Sequence, residues 1–443
     1  RLIKFLKTEN HMKNTAKKLT FIVVSFFLFS PLSMANFEKV NPESLGYSSE
    51  ELNTLIPLVE PLIDQGKLPN YLISIYKDNK LMFQSLKGYR DVDSKTEITE
   101  DTIFWQASMS KPIVSVAVLK LIEEGKLSLE DKLDDYFPEF ADVMVAPGGS
   151  YDRPLQIIDR SITIKDLLTH TAGFTYGASI IGSGDVATAY DEVNPINSYL
   201  KTGEENMSSL SELPLVAQPG TAFNYSVSID VLGAVIEKIT GKGLAQYVNE
   251  EIFLPLGMDH SGWFFSGDLS EKVATVYTQI TRTVQVPGEK LSFKKMEQFG
   301  DMTCRGMPPK FPSAGGGLCT SADDFAKFLF MLLNKGKHNG KQIIKAETAE
   351  MMFKNHLPEH LGKDGMVSSF GDFAGNQYFS LGFGLALEQD SAEIDYVWWG
   401  GAANTLFWAD PKSNVVGLFL TQHFPVAYNI MDTLEETVDR AKL

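Results

Sequence analysis

Apolar and polar positions divide the chain into three stretches. Tyr71-Leu72-Ile73-Ser74-Ile75-Tyr76 and Leu81-Met82-Phe83-Gln84-Ser85-Leu86 flank Lys77-Asp78-Asn79-Lys80, which predicts a β-hairpin. After Phe104 the period becomes helical. Val114, Ala117, Val118, Leu121 and Ile122 recur on one helical face, and Gly125 stops the run. Helical spacing continues to about residue 265, over Ile164 to Leu168, Ile229 to Ile239 closed by Gly241, and Leu244 to Phe253 before Pro255. Thr320-Ser321-Ala322-Asp323-Asp324 is a capped, acidic start to a further helix through Leu333, with Gly336 as its stop. Strands return over Phe379 to Leu387, Tyr396 to Trp399, Thr405 to Trp408 and Val415 to Thr421. A last amphipathic helix carries Ile430, Leu434 and Val438. Strands at both ends with helices between predict one sheet built from both termini and a helical region inserted in the middle.

The first 35 residues read differently. Met12-Lys13-Asn14-Thr15-Ala16-Lys17-Lys18 is basic, Leu19 to Leu32 is apolar, and Ser33-Met34-Ala35 supplies small residues at cleavage-site spacing. That is the pattern of a bacterial-type secretory signal cut near Ala35, so a periplasmic or secreted protein is expected, with no stable membrane insertion after cleavage. The predicted organisation is a leader over 1–35, a discontinuous α/β domain over 36–110 plus 300–443, and a mostly helical domain over 111–299.

The 443 residues carry 40 Lys and Arg against 56 Asp and Glu, a formal charge of −16. Removing residues 1–35, with six basic side chains and one acidic, leaves about −21. Such a surface disfavours nucleic acid as a partner. The two cysteines, Cys304 and Cys319, lack metal-site spacing; a disulfide and a free buried pair are both open.

Candidate chemistry starts in Phe104-Trp105-Gln106-Ala107-Ser108-Met109-Ser110-Lys111-Pro112, a loop entering a helix with Ser108 expected as its cap. Ser108 and Lys111, three apart, share one helical face, and an amine kept neutral by burial can take a proton from a hydroxyl nucleophile. Ser-x-x-Lys also occurs at Ser198–Lys201 and Ser292–Lys295, but in polar and basic surroundings. Tyr225 follows the Gln218-Pro219-Gly220 turn and heads an apolar helix, where a phenol near an ammonium can relay a proton. Gly46-Tyr47-Ser48-Ser49-Glu50 lacks the second glycine of a nucleophile elbow. His170 reads as a hydrogen-bonded histidine at a helix end. His356-Leu357-Pro358-Glu359-His360 has zinc-ligand spacing, yet Pro358 would break the helix those ligands need.

Together these segments resemble the serine β-lactamase and penicillin-binding-protein hydrolases, class C branch. The resemblance rests on Ser108-Met109-Ser110-Lys111, Gly125 to Asp131, Leu168-Thr169-His170-Thr171-Ala172-Gly173, Pro219-Gly220 to Tyr225-Ser226, and Gly315-Gly316-Gly317 before Asp323-Asp324. It implies a β-lactamase/transpeptidase-like α/β (α+β) fold: an antiparallel sheet flanked by helices, with an inserted all-helical domain. It also implies that Ser108 is acylated, that Lys111 and Tyr225 share the proton traffic, and that the backbone N–H groups of Ser108 and Ala402 form the oxyanion hole. Trp399, Gly400, Gly401 and Ser226 would face the substrate. No metal or cofactor is implied.

Two departures bear on substrate. Val227 stands where β-lactamases of this branch carry Asn after Tyr-x, and Trp399-Gly400-Gly401 stands where they carry Lys-Thr-Gly. The latter is similar to the family VIII carboxylesterases. Loss of a cation and an amide donor weakens recognition of a β-lactam, so the expected activity is hydrolysis of small, short-chain acyl esters. The alternatives are a D-amino-acid peptidase or amidase, a β-lactamase, and a non-catalytic penicillin-binding module.

Overall fold

The computed structural model describes residues 37–279, 292–296, 304–370, 375, 377–388, 391, 393–428 and 430–443; the expected leader lies outside the described residues. The predicted hairpin is present as β2 (Asn70–Lys77) and β3 (Lys80–Asp91). Its turn is tighter than the sequence suggests: Asp78 and Asn79 alone connect the strands, with φ of 51° and 58°. Two successive left-handed residues give the turn whose twist matches paired strands, and Asp and Asn tolerate it.

Among the described residues, nine strands form the main sheet. To β2 and β3 it adds β1 (Glu38–Lys39), β4 (Thr96–Glu97), β5 (Gln377–Phe379), β6 (Gly384–Leu387), β7 (Ile394–Gly401), β8 (Thr405–Asp410) and β9 (Val415–Leu420). The order is β1–β3–β2–β9–β8–β7–β6–β5, with β4 on β3. Both termini therefore build it, meeting where β9 pairs antiparallel with β2. The sheet is mixed rather than purely antiparallel, because β1 runs parallel to β3. The strand predicted over Phe379 to Leu387 is broken in two. Gly382, at φ 120°, turns the chain there so closely to a helix that a Cβ would lie 2.5 Å from Ser115 Oγ.

Both faces of the central strands are covered, which is why β2 is an almost unbroken apolar run. Tyr71, Ile73 and Ile75 meet α1 (Ser49–Asn53), α2 (Ile56–Asp64) and the C-terminal α7 (Met431–Arg440) through Leu52, Val59, Leu434 and Val438. Leu72 and Tyr76 face the other core, shared with α3 (Ser110–Glu123) and α6 (Ala322–Leu333). Trp408 is fully buried over Gly417, where any Cβ would fall within 1.9 Å of its ring. Truncating a core aromatic of this kind costs about 3–5 kcal/mol.

The middle of the chain supplies α4 (Ile164–Leu168) and α5 (Ser228–Thr240), the latter closed by Gly241 at φ 66°. Thr163 and Asp166 form a capping box that starts α4. Helix α5 packs against α3 and α4. Beyond residue 260 the chain is not helical throughout: Ser261–Gly262 and Phe104–Trp105 pair with Cys319–Thr320, and Tyr277–Gln279 pairs with Phe293–Lys295. Cys304 and Cys319 are joined in a disulfide, with Cα atoms 6.2 Å apart.

Candidate active site

Ser108 is not the helix cap. It sits in a 3-10 turn over Ala107–Met109, and Met109 takes the capping position of α3 without a side-chain bond. Ala107, just before it, has φ 48°, an uncommon conformation for a residue with a Cβ. Ser110 Oγ holds the turn by donating to the Ala107 carbonyl at 2.6 Å while accepting from Leu318 N–H at 3.1 Å. The turn leaves Ser108 half-exposed and puts Lys111 at the second position of a helix buried nearly all round.

Lys111 is fully buried. Its Nζ donates to Ser108 Oγ at 3.1 Å and to the Gly315 carbonyl at 2.6 Å. Nζ lies over two aromatic faces, 4.6 Å from the centre of Tyr225 and 5.6 Å from that of Tyr176. Ser108 and Lys111, three residues apart, thus share one site with Tyr225, more than a hundred residues further on. The other two Ser-x-x-Lys pairs do not resemble it: Lys201 bonds Asn194 O and Ser209 Oγ, and Lys295 is exposed on a strand.

Tyr225 precedes α5. Its N–H donates to Ser369 Oγ at 3.2 Å, and its hydroxyl accepts from Trp399 Nε1–H at 3.3 Å. Trp399, on β7, is buried, and its ring packs with Tyr225, Phe370 and Phe379 at centroid distances of 5.2–5.5 Å. Phe370 also stacks on Tyr225 at 5.1 Å, ending a short helical turn over Val367–Phe370. Gly401 lets β7 run against the serine turn, since a Cβ there would meet Thr405 Oγ1 at 2.1 Å and the Gln106 carbonyl at 2.2 Å. Thr405 Oγ1 donates to that carbonyl at 3.2 Å. Ala402 follows, half-exposed; Gly400 has room around it.

Ser226 departs from expectation. It is fully buried, its N–H donates to His170 Nδ1 at 3.2 Å, and its hydroxyl is taken up by that nitrogen and by Ser228 Oγ. It serves a buried network and does not face substrate. His170 is held within that network at φ 56°, its ring 4.7 Å from that of Tyr225, so the histidine backs the tyrosine. Burial first, and Lys111 second, push its pKa well below the usual histidine range, leaving it neutral. His356 and His360 diverge: their Nε2 atoms meet the carbonyls of Met351 and Thr221.

Four further residues complete the site: Gly315, from the Gly-rich stretch noted in the sequence, and three that sequence reasoning does not single out. Gly315 supplies the carbonyl for Lys111. Asp230, fully buried on α5, accepts from Gly315 N–H at 3.1 Å and Ser313 Oγ at 2.8 Å. Burial raises its pKa, against the opposing pull of the Gly315 N–H, Lys111, Ser313 and the Ala314 N–H. Tyr176 is the second aromatic face on Lys111; burial holds its phenol well above the ordinary range. Phe370 is the fourth. Gly315 is visible in sequence within its run of glycines, and Asp230 leaves a trace as an acid inside the apolar run Ile229 to Ile236. Chemically, the arrangement offers a hydroxyl beside a buried amine and a phenol, with an aromatic wall.

Comparison with known proteins bears on the family and the fold. Residues 55–436 match the family described as Beta-lactamase. Protein Rv1367c of Mycobacterium tuberculosis is 32% identical over 381 residues, covering 83% of this chain and 89% of its own. Esterase EstB of Burkholderia gladioli is 32% identical over 292 residues, 62% of this chain and 69% of its own. The solved structure of EstCE1, a hydrolase with promiscuous acyltransferase activity, matches in fold with a TM-score of 0.69 at 24% identity, covering 88% of this chain and 98% of that one.

Proposed function

This chain belongs to the beta-lactamase family of serine hydrolases, and on that premise we propose that it is an exported carboxylesterase acting on short-chain acyl esters. The observation that carries the reading is Lys111 Nζ, fully buried and 3.1 Å from Ser108 Oγ. Ser108 Oγ attacks the ester carbonyl and its proton passes into the Lys111–Tyr225 pair. The C–O bond to the alcohol breaks, and that pair returns the proton to the leaving oxygen. Water then adds to the acyl-enzyme, releases the acid and restores the Ser108 hydroxyl. The N–H groups of Ser108 and Ala402 hold the oxyanion in both steps.

Esters are favoured over β-lactams by the two departures. Trp399 presents an aromatic ring, its one donor already committed to Tyr225, and Val227 is a buried hydrocarbon. Each charge-assisted contact absent from a site of this kind is worth about 1.5–3 kcal/mol. The similarity to an esterase supports the same substrate class. Export rests on the basic and apolar pattern before Ala35.

The test is turnover of p-nitrophenyl butyrate, a chromogenic cephalosporin and a D-Ala-D-Ala peptide by wild type and Ser108→Ala. Ester turnover that dominates and disappears in the variant is expected. Full ester activity in the variant overturns the Ser108 assignment; dominant cephalosporin or peptide turnover replaces the esterase reading. For export, the protein recovered from the periplasm should begin near Asn36, and an uncut cytoplasmic chain would contradict it.

A further inference from the structure

Lys111 has no carboxylate within ion-pair distance among the described residues, so what aims its amine is the Gly315 carbonyl. That carbonyl belongs to a loop, Ser313 to Gly317, whose own anchoring decides where the acceptor lies. Trp105 Nε1–H donates to Gly316 O at 2.6 Å and Trp263 Nε1–H to Ser313 O at 2.7 Å, fixing the loop from the sheet side. From the helical side Asp230 holds it. Asp230 Oδ1 accepts both the Gly315 N–H and the Ser313 hydroxyl, grasping the peptide group on one side of the Gly315 Cα while Lys111 takes the carbonyl on the other. The fit leaves no room: a Cβ on Gly315 would lie 2.5 Å from Asp230 Oδ2.

We infer that Asp230 is a positioning residue for the reaction, acting through Gly315 to hold Lys111 Nζ against Ser108 Oγ. The inference rests on the reading of Ser108 and Lys111 as the reacting pair. A buried carboxylate is costly, and an apolar residue at this helix position would pack without that cost. What the carboxylate does here is accept hydrogen bonds directionally, from a loop rich in glycine that has few side chains of its own to fix it. Its place on α5, five residues after Tyr225, also ties the loop to the helix that the phenol directly precedes.

The experiment is a double-mutant cycle read by steady-state ester hydrolysis and by the rate of Ser108 labelling with a fluorophosphonate. Misplacing a reacting group by about 1 Å can cost on the order of 100-fold, so Asp230→Ala is expected to lower kcat by roughly that factor with KM within about twofold. Asp230→Asn keeps the size and one acceptor oxygen, and should recover to within about tenfold of wild type. In a Lys111→Ala background neither change should lower the labelling rate by more than about twofold, because no amine remains to be aimed. If Asp230→Ala does not fold, Asp230→Asn carries the same comparison. An equal loss in both backgrounds, a loss in KM alone, or unchanged kcat in both Asp230 variants overturns the inference. Ser108→Ala with full activity would instead overturn the reading it rests on.

Discussion

Around Ser108 the site wall is made of backbone and short polar side chains: Gly315 O, Ser110, Ser313 and the carboxylate of Asp230, joined by hydrogen bonds of 2.6–3.1 Å. Around Tyr225 it is made of rings, with Trp399, Phe370, Tyr176 and His170 at centroid distances of 4.7–5.5 Å and few polar contacts among them. The two halves meet at Lys111 Nζ. Directional bonds fix atoms to a few tenths of an ångström, and a missing partner leaves a buried group unsatisfied. Ring contacts are broad and forgiving, each worth about 0.5–1.5 kcal/mol beyond its area. On the proposed reading the polar half holds the Ser108–Lys111 pair in place, and the aromatic half carries the Tyr225 phenol and the wall beside it.

The sharpest way to break this contrast is in the polar half. Ser108→Ala should lower ester kcat on the order of 10⁴-fold or more, and Lys111→Ala on the order of 10²–10⁴-fold, with KM little changed. Initial rates with p-nitrophenyl butyrate decide it; losses under tenfold would remove the distinction between the halves. Next comes the hydrogen bond that crosses the aromatic half. Trp399→Phe keeps a ring and removes the donor to Tyr225 Oη, so kcat should fall about tenfold, in line with one lost bond of about 1–1.5 kcal/mol. A changed acyl-length preference at unchanged kcat would instead make Trp399 purely a wall.

Phe370→Ala should act more gently on rate and more on selectivity. It deletes ring contacts to Tyr225 and Trp399 while leaving every bond to Lys111 in place. Butyrate turnover should drop less than about tenfold, and the ratio of octanoate to butyrate kcat/KM should rise, reflecting roughly 1–3 kcal/mol of pocket discrimination. An unchanged ratio places Phe370 outside the acyl site.

The smallest effect lies on the far face of the sheet. Glu435 on α7 is half-buried beside Asp439 and Asp395, and burial first, then those two acids, pushes its pKa up to about 7. An acid whose folded pKa exceeds its unfolded value of about 4.3 favours the native state while protonated. Its contribution is complete below that unfolded value and is lost as pH rises through about 7. Melting temperature should thus fall between those pH values more in wild type than in Glu435→Gln, with ester kcat alike in both at fixed pH. Parallel melting curves would refute the assignment.

Much of this molecule is legible in its amino-acid order. Ser108, Lys111 and Tyr225 stand out because each heads an apolar helix, and the hairpin and α5 lie close to where turn residues and periodicity put them. Asp78 and Asn79 tighten the hairpin turn because both accept left-handed backbone, and Gly382 breaks a strand because Ser115 sits against it. Neither outcome is visible in a window of neighbouring residues.

The amino-acid order therefore dictates local features: which segments are helix or strand, which glycines and caps end them, and which hydroxyl lies three residues from an amine. Those follow from backbone propensity and periodicity, which act over a few residues. Tertiary structure alone decided that Gly315, two hundred residues on, accepts from Lys111, that Ser226 turns inward to His170, and that Phe370 closes on Trp399. It decided the Cys304–Cys319 disulfide as well. Long-range contacts depend on how two separately folded surfaces match in shape and hydrogen bonding, and no spacing along one chain encodes that match.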